Sequence, residues 1–181
     1  VSVTGRKQAR GIYTDPLSLD SAMKSKMLPG TTVYMRAGTY RMSLEKIPAI
    51  KWQGTKESPI TLRSAPGEWA IIDGRLDIND AEYVDLYDFE INRDKKPGII
   101  NDGGRAVPSE EITTGVSGKD FVLNGPLLSV VQANNIRIIN LYLHDNPTGG
   151  GISASRGNSN ILIYGSIAVR NGYDDTRRGY G

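Results

Sequence analysis

The chain has 181 residues, with 22 Lys and Arg against 20 Asp and Glu; the two signs are interspersed and no basic stripe interleaves with aromatics, so nothing points to a nucleic acid. The absence of cysteine excludes disulfides, cysteine-ligated zinc and thiol nucleophiles, and no apolar stretch approaches membrane-spanning length. Hydrophobic residues make up 38% with only two Phe, so any core is aliphatic, and 21 Gly with 9 Pro suit a turn-rich β architecture.

In chain order, the opening Val1-Ser2-Val3 shows no signal-peptide pattern and reads as the start of a mature or trimmed segment. The first predicted element is a helix after Thr14-Asp15-Pro16. Ser18 stands as its N-cap, and Leu19, Ala22 and Met23 form one apolar stripe. Leu28-Pro29-Gly30 stops it, a strand is expected over 32–36, and a turn at Ala37-Gly38 leads to another short strand. A helix in this place caps the open end of a coiled sheet. Strand-like bursts follow at Ile60–Arg63, Ala70–Ile72 and Tyr83–Ile91, separated by the turn signals Ser64-Ala65-Pro66-Gly67 and Asp73-Gly74. Residues 94–116 form a polar insertion, after which strand pattern resumes at Phe121–Leu123 and Leu127–Val131.

The last third repeats itself. Asn135–Asn146 reads like Asn160–Gly172, and setting Leu141, Leu143 and Asp145 against Ile167, Val169 and Asn171 gives an offset of 26 residues. Phe89 and Ile91, preceded by Asp88, fall at twice that distance. Short β-branched runs at this period, closed by Asn, Asp and Gly, predict a β-solenoid. Gly149-Gly150-Gly151 opens a further strand at Ile152, and it lacks the Lys and helix of a phosphate loop. Its counterpart one coil on would begin near Gly179, so the solenoid is expected to be C-terminally truncated. The whole chain, 1–181, reads as one domain: 1–40 cap and first strands, 94–116 insertion, 117–181 regular coils.

The stretches 28–40 (Leu-Pro-Gly-Thr-Thr-Val-Tyr-Met-Arg-Ala-Gly-Thr-Tyr), 58–67 and 139–146, with Asn171-Gly172-Tyr173, resemble secreted right-handed parallel β-helix repeat proteins of the pectate-lyase-like superfamily. That resemblance implies an all-β, right-handed parallel β-helix with a short N-terminal capping helix, and a secreted, extracellular setting. It implies a carbohydrate-active protein, foremost a polysaccharide lyase that breaks an acidic, uronate-containing polymer by β-elimination. A non-catalytic glycan-binding or structural module and a glycoside hydrolase are the alternatives.

Elimination beside a uronate carboxylate needs a base for the adjacent proton and a cation to neutralise that carboxylate. The resemblance implies Lys or Arg as the base, and calcium held by clustered Asp, Asn or Glu as the neutraliser. Asn171–Arg178 is an enlarged loop in the repeat. It offers Asp174 and Asp175 for a metal and Arg177 or Arg178 for catalysis or the uronate, with a solvated turn as the plainer alternative. Asp145 is a further metal candidate at a turn, although stacked Asn and Asp turns usually serve the backbone. His144, the sole histidine, is a candidate general base, with an exposed polar stack as the plainer alternative; it is expected to point outward between Asn92 and Arg170, with the Asp145 side chain diverging from it. Lys119 is a candidate base, beside Asp120 and with Asp102 inside the insertion, while Arg170 and Tyr173 are substrate-binding candidates. Trp52 and Trp69 are available to stack on sugar rings.

Overall fold

The computed structural model describes residues 1–42, 47, 49–93, 125–146 and 149–172, together with the backbone of 99–100 and 106–107. Helix α1 (Leu19–Lys24) opens it, with Ser18 Oγ accepting from Ser21 N–H and with Leu19, Ala22 and Met23 buried. The predicted cap and apolar stripe are therefore present.

Five coils follow. The first holds β1 (Thr32–Met35), β2 (Gly38–Arg41) and β3 (Ala49–Ile50), and the second holds β4 (Ile60–Ser64), β5 (Ala70–Asp73) and β6 (Leu76–Asn79). The third contains β7 (Glu82–Tyr87) and β8 (Glu90–Asn92), then the antiparallel pair β9 (Ile99–Ile100) and β10 (Ala106–Val107), then β11 (Leu128–Val131). The fourth is β12 (Asn134–Ile139), β13 (Tyr142–Asn146) and β14 (Ile152–Ser155), and the last is β15 (Ser159–Tyr164) and β16 (Ile167–Asn171). These strands stack into three parallel sheets: β1-β4-β7-β12-β15, β2-β5-β8-β13-β16 and β3-β6-β11-β14. The chain is a parallel β-helix.

Alternation builds the core. Inward residues stack from coil to coil in register, as in Val33–Leu62–Leu86–Ile138 and Tyr40–Ile72–Ile91–Leu143, and all of these are buried. The rows are mostly aliphatic on aliphatic, and among the described residues Phe89 is the phenylalanine in the core. The 83–91 stretch is not one strand. Asp88, at φ +58°, turns the chain from the first sheet to the second between β7 and β8.

One spacing is as expected and one differs. The step from β7 to β12 is 52 residues and the two strands pair directly, so those residues hold the insertion plus one coil's worth of chain, as expected. The step from β13 to β16 is 25, with Tyr142 opposite Ile167, Leu143 opposite Ala168 and Asn146 opposite Asn171. The expected offset of 26 placed Ile167 and Val169 inside because they are the apolar residues. Both instead share the outer face with Tyr142 and His144, and Ala168 takes the inner position. A slip of one residue exchanges the two faces of a strand.

Candidate functional site

The longest connection, from β8 to β11, leaves the helix at one corner. The corner between the first and second sheets is turned by single left-handed residues, Asp88 at φ +58° and Asn140 at φ +54°, with Gly165 in the same place at φ +62°. The corner between the second and third sheets instead carries the connections from β2 to β3, from β8 to β11 and from β13 to β14, and β16 ends there. The candidate site is this second corner with the sheet faces beside it.

An inner layer of polar groups supports it. Asn146 is fully buried; its Nδ2 donates to Gly150 O at 2.9 Å and Gly125 O at 3.2 Å, and its Oδ1 accepts from Arg93 Nη1 at 3.4 Å. Asn171 repeats the motif one coil on, its Oδ1 accepting from Asn146 N–H at 3.2 Å and its Nδ2 donating to Leu143 O at 3.1 Å. The stacked turn asparagines are thus Asn146 and Asn171, where the sequence pointed to Asp145 and Asn171; the one-residue slip is again the reason. Arg93 is also buried, and burial first, then the nearby Arg75 cation, pull its guanidinium down to about 10. Arg75 Nε donates to Asp77 Oδ1 at 2.6 Å, and its guanidinium fills the space where a Cβ on Gly125 would stand. On the outer face of the third sheet, Asp77, Ser129 and Ser153 line up in register, as do Asn79, Val131 and Ser155.

The second sheet carries the groups named from sequence. His144 lies between Asn92 and Val169 in register, not beside Arg170, and it is only 9% exposed. Its Nδ1 sits 2.6 Å from Asp145 Oδ2 and its Nε2 sits 2.9 Å from Glu90 Oε1. The Asp145 side chain therefore turns toward the ring instead of diverging. The backbone explains this: Asp145 has φ +55°, which breaks the up-down alternation of the strand. Arg170, at φ +51°, donates from Nε and Nη2 to both Asp145 oxygens at 2.5 and 2.7 Å. Arg170, then His144, hold the Asp145 carboxyl well below the usual carboxylate range.

Sequence reasoning did not find Glu90 or the buried Asn146. Glu90 was accessible, because it precedes Asn92 by two residues and so shares its outward face. Trp69 is half-exposed and its Nε1 donates to Glu90 Oε2 at 3.1 Å, whereas Trp52 is buried and presents no face to a sugar. Among the described residues no group of three or more His, Asp and Glu side chains is arranged to hold a metal ion. Lys119, Tyr173, Asp174, Asp175, Arg177 and Arg178 lie outside the described residues, as do Asp102, Asp120 and the 121–123 stretch.

No protein-family model matches the chain. It is 32% identical over 111 residues to pectate lyase PEL9 of Emericella nidulans, which is 50% of this chain and 27% of that protein. Among solved structures it is similar to pectate lyase Pel9A, with a TM-score of 0.61 and 17% identity over 94% of this chain and 39% of that one. A rhamnogalacturonan lyase gives 0.57 and 15% over 90% and 49%. A GH136 lacto-N-biosidase from Eubacterium ramulus gives 0.61 and 18% over 91% and 33%. The chain thus spans about a quarter of the curated relative's length and less than half of each solved structure. The chain shares the parallel β-helix fold of these proteins.

Proposed function

We propose that this chain belongs to a secreted polysaccharide lyase that cleaves a uronate-containing polymer by β-elimination at the corner between the second and third sheets. The observation that carries the reading is that the longest connection leaves at that corner, where β16 also ends, in a fold shared with two lyases. In β-elimination a base removes the proton beside the uronate carboxylate, a double bond forms to the next carbon, and the glycosidic oxygen leaves and is protonated. Lys119, Arg177 and Arg178 are the residues assigned to proton removal and carboxylate binding, with Tyr173 available to stack on a sugar ring. Asp174 and Asp175 are the oxygen donors assigned to calcium, which when bound would neutralise the uronate carboxylate. Asp145 is dropped from that set, because Arg170 occupies both its oxygens. For the same reason His144 and Arg170 are assigned to holding strands together rather than to substrate.

Incubation with a panel of uronate polymers, with calcium and then with a chelator, tests the reading. Calcium-dependent growth of ultraviolet absorbance from the unsaturated product supports a lyase. New reducing ends without that absorbance favour hydrolysis, the activity class of the lacto-N-biosidase neighbour. Binding without cleavage favours a glycan-recognition module.

A further inference from the structure

The outer face of the first sheet carries a row of side chains that neither the core nor the candidate corner uses. Tyr34 of β1, Arg63 of β4, Tyr87 of β7, Ile139 of β12 and Tyr164 of β15 are register partners from coil to coil. Their chain neighbours Val33, Leu62, Leu86 and Ile138 are buried, so strand alternation turns this row outward. Tyr34 is 46% exposed and Tyr164 69%, with Tyr87 half-buried between them.

A tyrosine therefore stands on every second coil. Neighbouring strands lie ~4.8 Å apart, so successive tyrosines are separated by about 10 Å and the three together span about 20 Å. That step is too long for ring-on-ring contact, and among the described residues the stacked ring pair is Tyr142 with His144, on another sheet. The three tyrosines thus gain nothing from one another. The places between them are filled by the alkyl stem of Arg63 and by Ile139, which makes the row a continuous apolar floor.

The charges beside this floor are closed in pairs. Arg63 Nη2 donates to Asp88 Oδ2 at 2.6 Å, and its guanidinium lies 5.9 Å from the Tyr87 centroid, at the far limit of a cation–π contact. In the next row Arg137 donates from Nε to Asp85 Oδ1 at 2.7 Å and from Nη2 to Asp85 Oδ2. Thr32 and Thr61, partners in that same row, add hydroxyls. The surface is therefore aromatic, flanked by hydrogen-bonding groups, and neutral.

We propose that the outer face of the first sheet is a second glycan surface, which takes an extended, uncharged β-1,4-linked polysaccharide lying along the helix axis, with Tyr34, Tyr87 and Tyr164 each stacked on a sugar ring. In a flat β-1,4-linked ribbon each sugar is turned over relative to the one before, so equivalent faces recur once per disaccharide. That repeat matches the two-coil step of the tyrosines. The C–H face of each such sugar lies on an aromatic ring, and its hydroxyls meet the polar groups of the adjacent row. A polyuronate fits less well, because it brings a carboxylate on every sugar to a face whose two arginines are already held by aspartates. In a three-sheeted helix the first sheet lies across from the corner between the second and third, so this surface is separate from the candidate lyase site and does not depend on that reading.

Calorimetric titration with cellohexaose, in the presence of chelator, tests the proposal, with cellobiose, maltohexaose and hexagalacturonate as comparison ligands. Affinity should climb from cellobiose to cellohexaose as further rings are reached, and the α-linked, coiled maltohexaose and the charged hexagalacturonate should bind more weakly than cellohexaose. The double variant Tyr34→Ala/Tyr164→Ala removes the two exposed rings; it should leave the thermal unfolding midpoint in place and weaken cellohexaose binding by roughly tenfold or more. Tyr34→Phe/Tyr164→Phe keeps the stacking faces and should retain the binding. Absence of cellohexaose binding overturns the proposal, as does binding that the alanine variant leaves unchanged. Affinity that does not grow with chain length, or equal binding of maltohexaose, would contradict the match of ring spacing to sugar repeat. Hexagalacturonate binding that is stronger than that of cellohexaose and is lost in the alanine variant would assign the row to an acidic polymer instead.

Discussion

At the scale of single residues, Asp145 shows how a turn position becomes an electrostatic one. Its left-handed backbone brings the carboxylate between Arg170 and His144, and the hydrogen bonds from Arg170, then His144, stabilise its ionised form. A carboxylate whose folded pKa is depressed adds stability above its ordinary value, 3.8 for Asp, and loses that contribution as pH falls toward the folded value. Protection of the β16 amides should therefore decline as pH drops below about 4, measured by hydrogen exchange, and Asp145→Asn should abolish that decline. A decline of equal size in Asp145→Asn would mean that other carboxylates set the acid limit.

At the scale of elements, left-handed residues recur as ladders at equivalent places in successive coils. Asp80, Gln132 and Arg156 form one, Tyr83, Asn135 and Asn160 another, and Asp88, Asn140 and Gly165 a third. Gly165 has φ +62°, and a Cβ there would run into Asn140 Oδ1; Gly157 has φ +77° with nothing near. Gly157→Ala should cost about 1 kcal/mol, the backbone penalty alone, and Gly165→Ala about 1 kcal/mol more, read from denaturation midpoints. Equal costs would show that the Asn140 contact is readily relieved. The solenoid was legible from these turns and from the aliphatic runs, because both follow from local geometry. The register of β16 was not, since Ile167 and Val169 mimic an inner row while Ala168 occupies it. That single slip hid the pairing of Asp145 with Arg170 and of Asn146 with Asn171. The Glu90–His144 contact was within reach, since the sequence sets His144 against Asn92 and Glu90 shares the outward face of Asn92.

At the scale of the molecule, the parallel β-helix divides the work between its corners. One corner is turned by single left-handed residues in the last three coils, while the next carries the longest connection and the buried Arg93 and Asn146, with Asn171 stacked on Asn146. The fold offers a lateral platform, and it is shared by lyases and a lacto-N-biosidase, so the fold by itself does not set the chemistry. The most direct test of this account is calorimetric titration of the chain with an oligogalacturonide, with calcium and with chelator, alongside a double variant carrying Asp174→Asn and Asp175→Asn. The account predicts binding that requires calcium and falls by on the order of tenfold or more in the variant, the loss expected when charged ligands are removed from a hard-cation site. Binding that survives both the chelator and the double substitution would contradict it, and would place glycan recognition elsewhere on the β-helix.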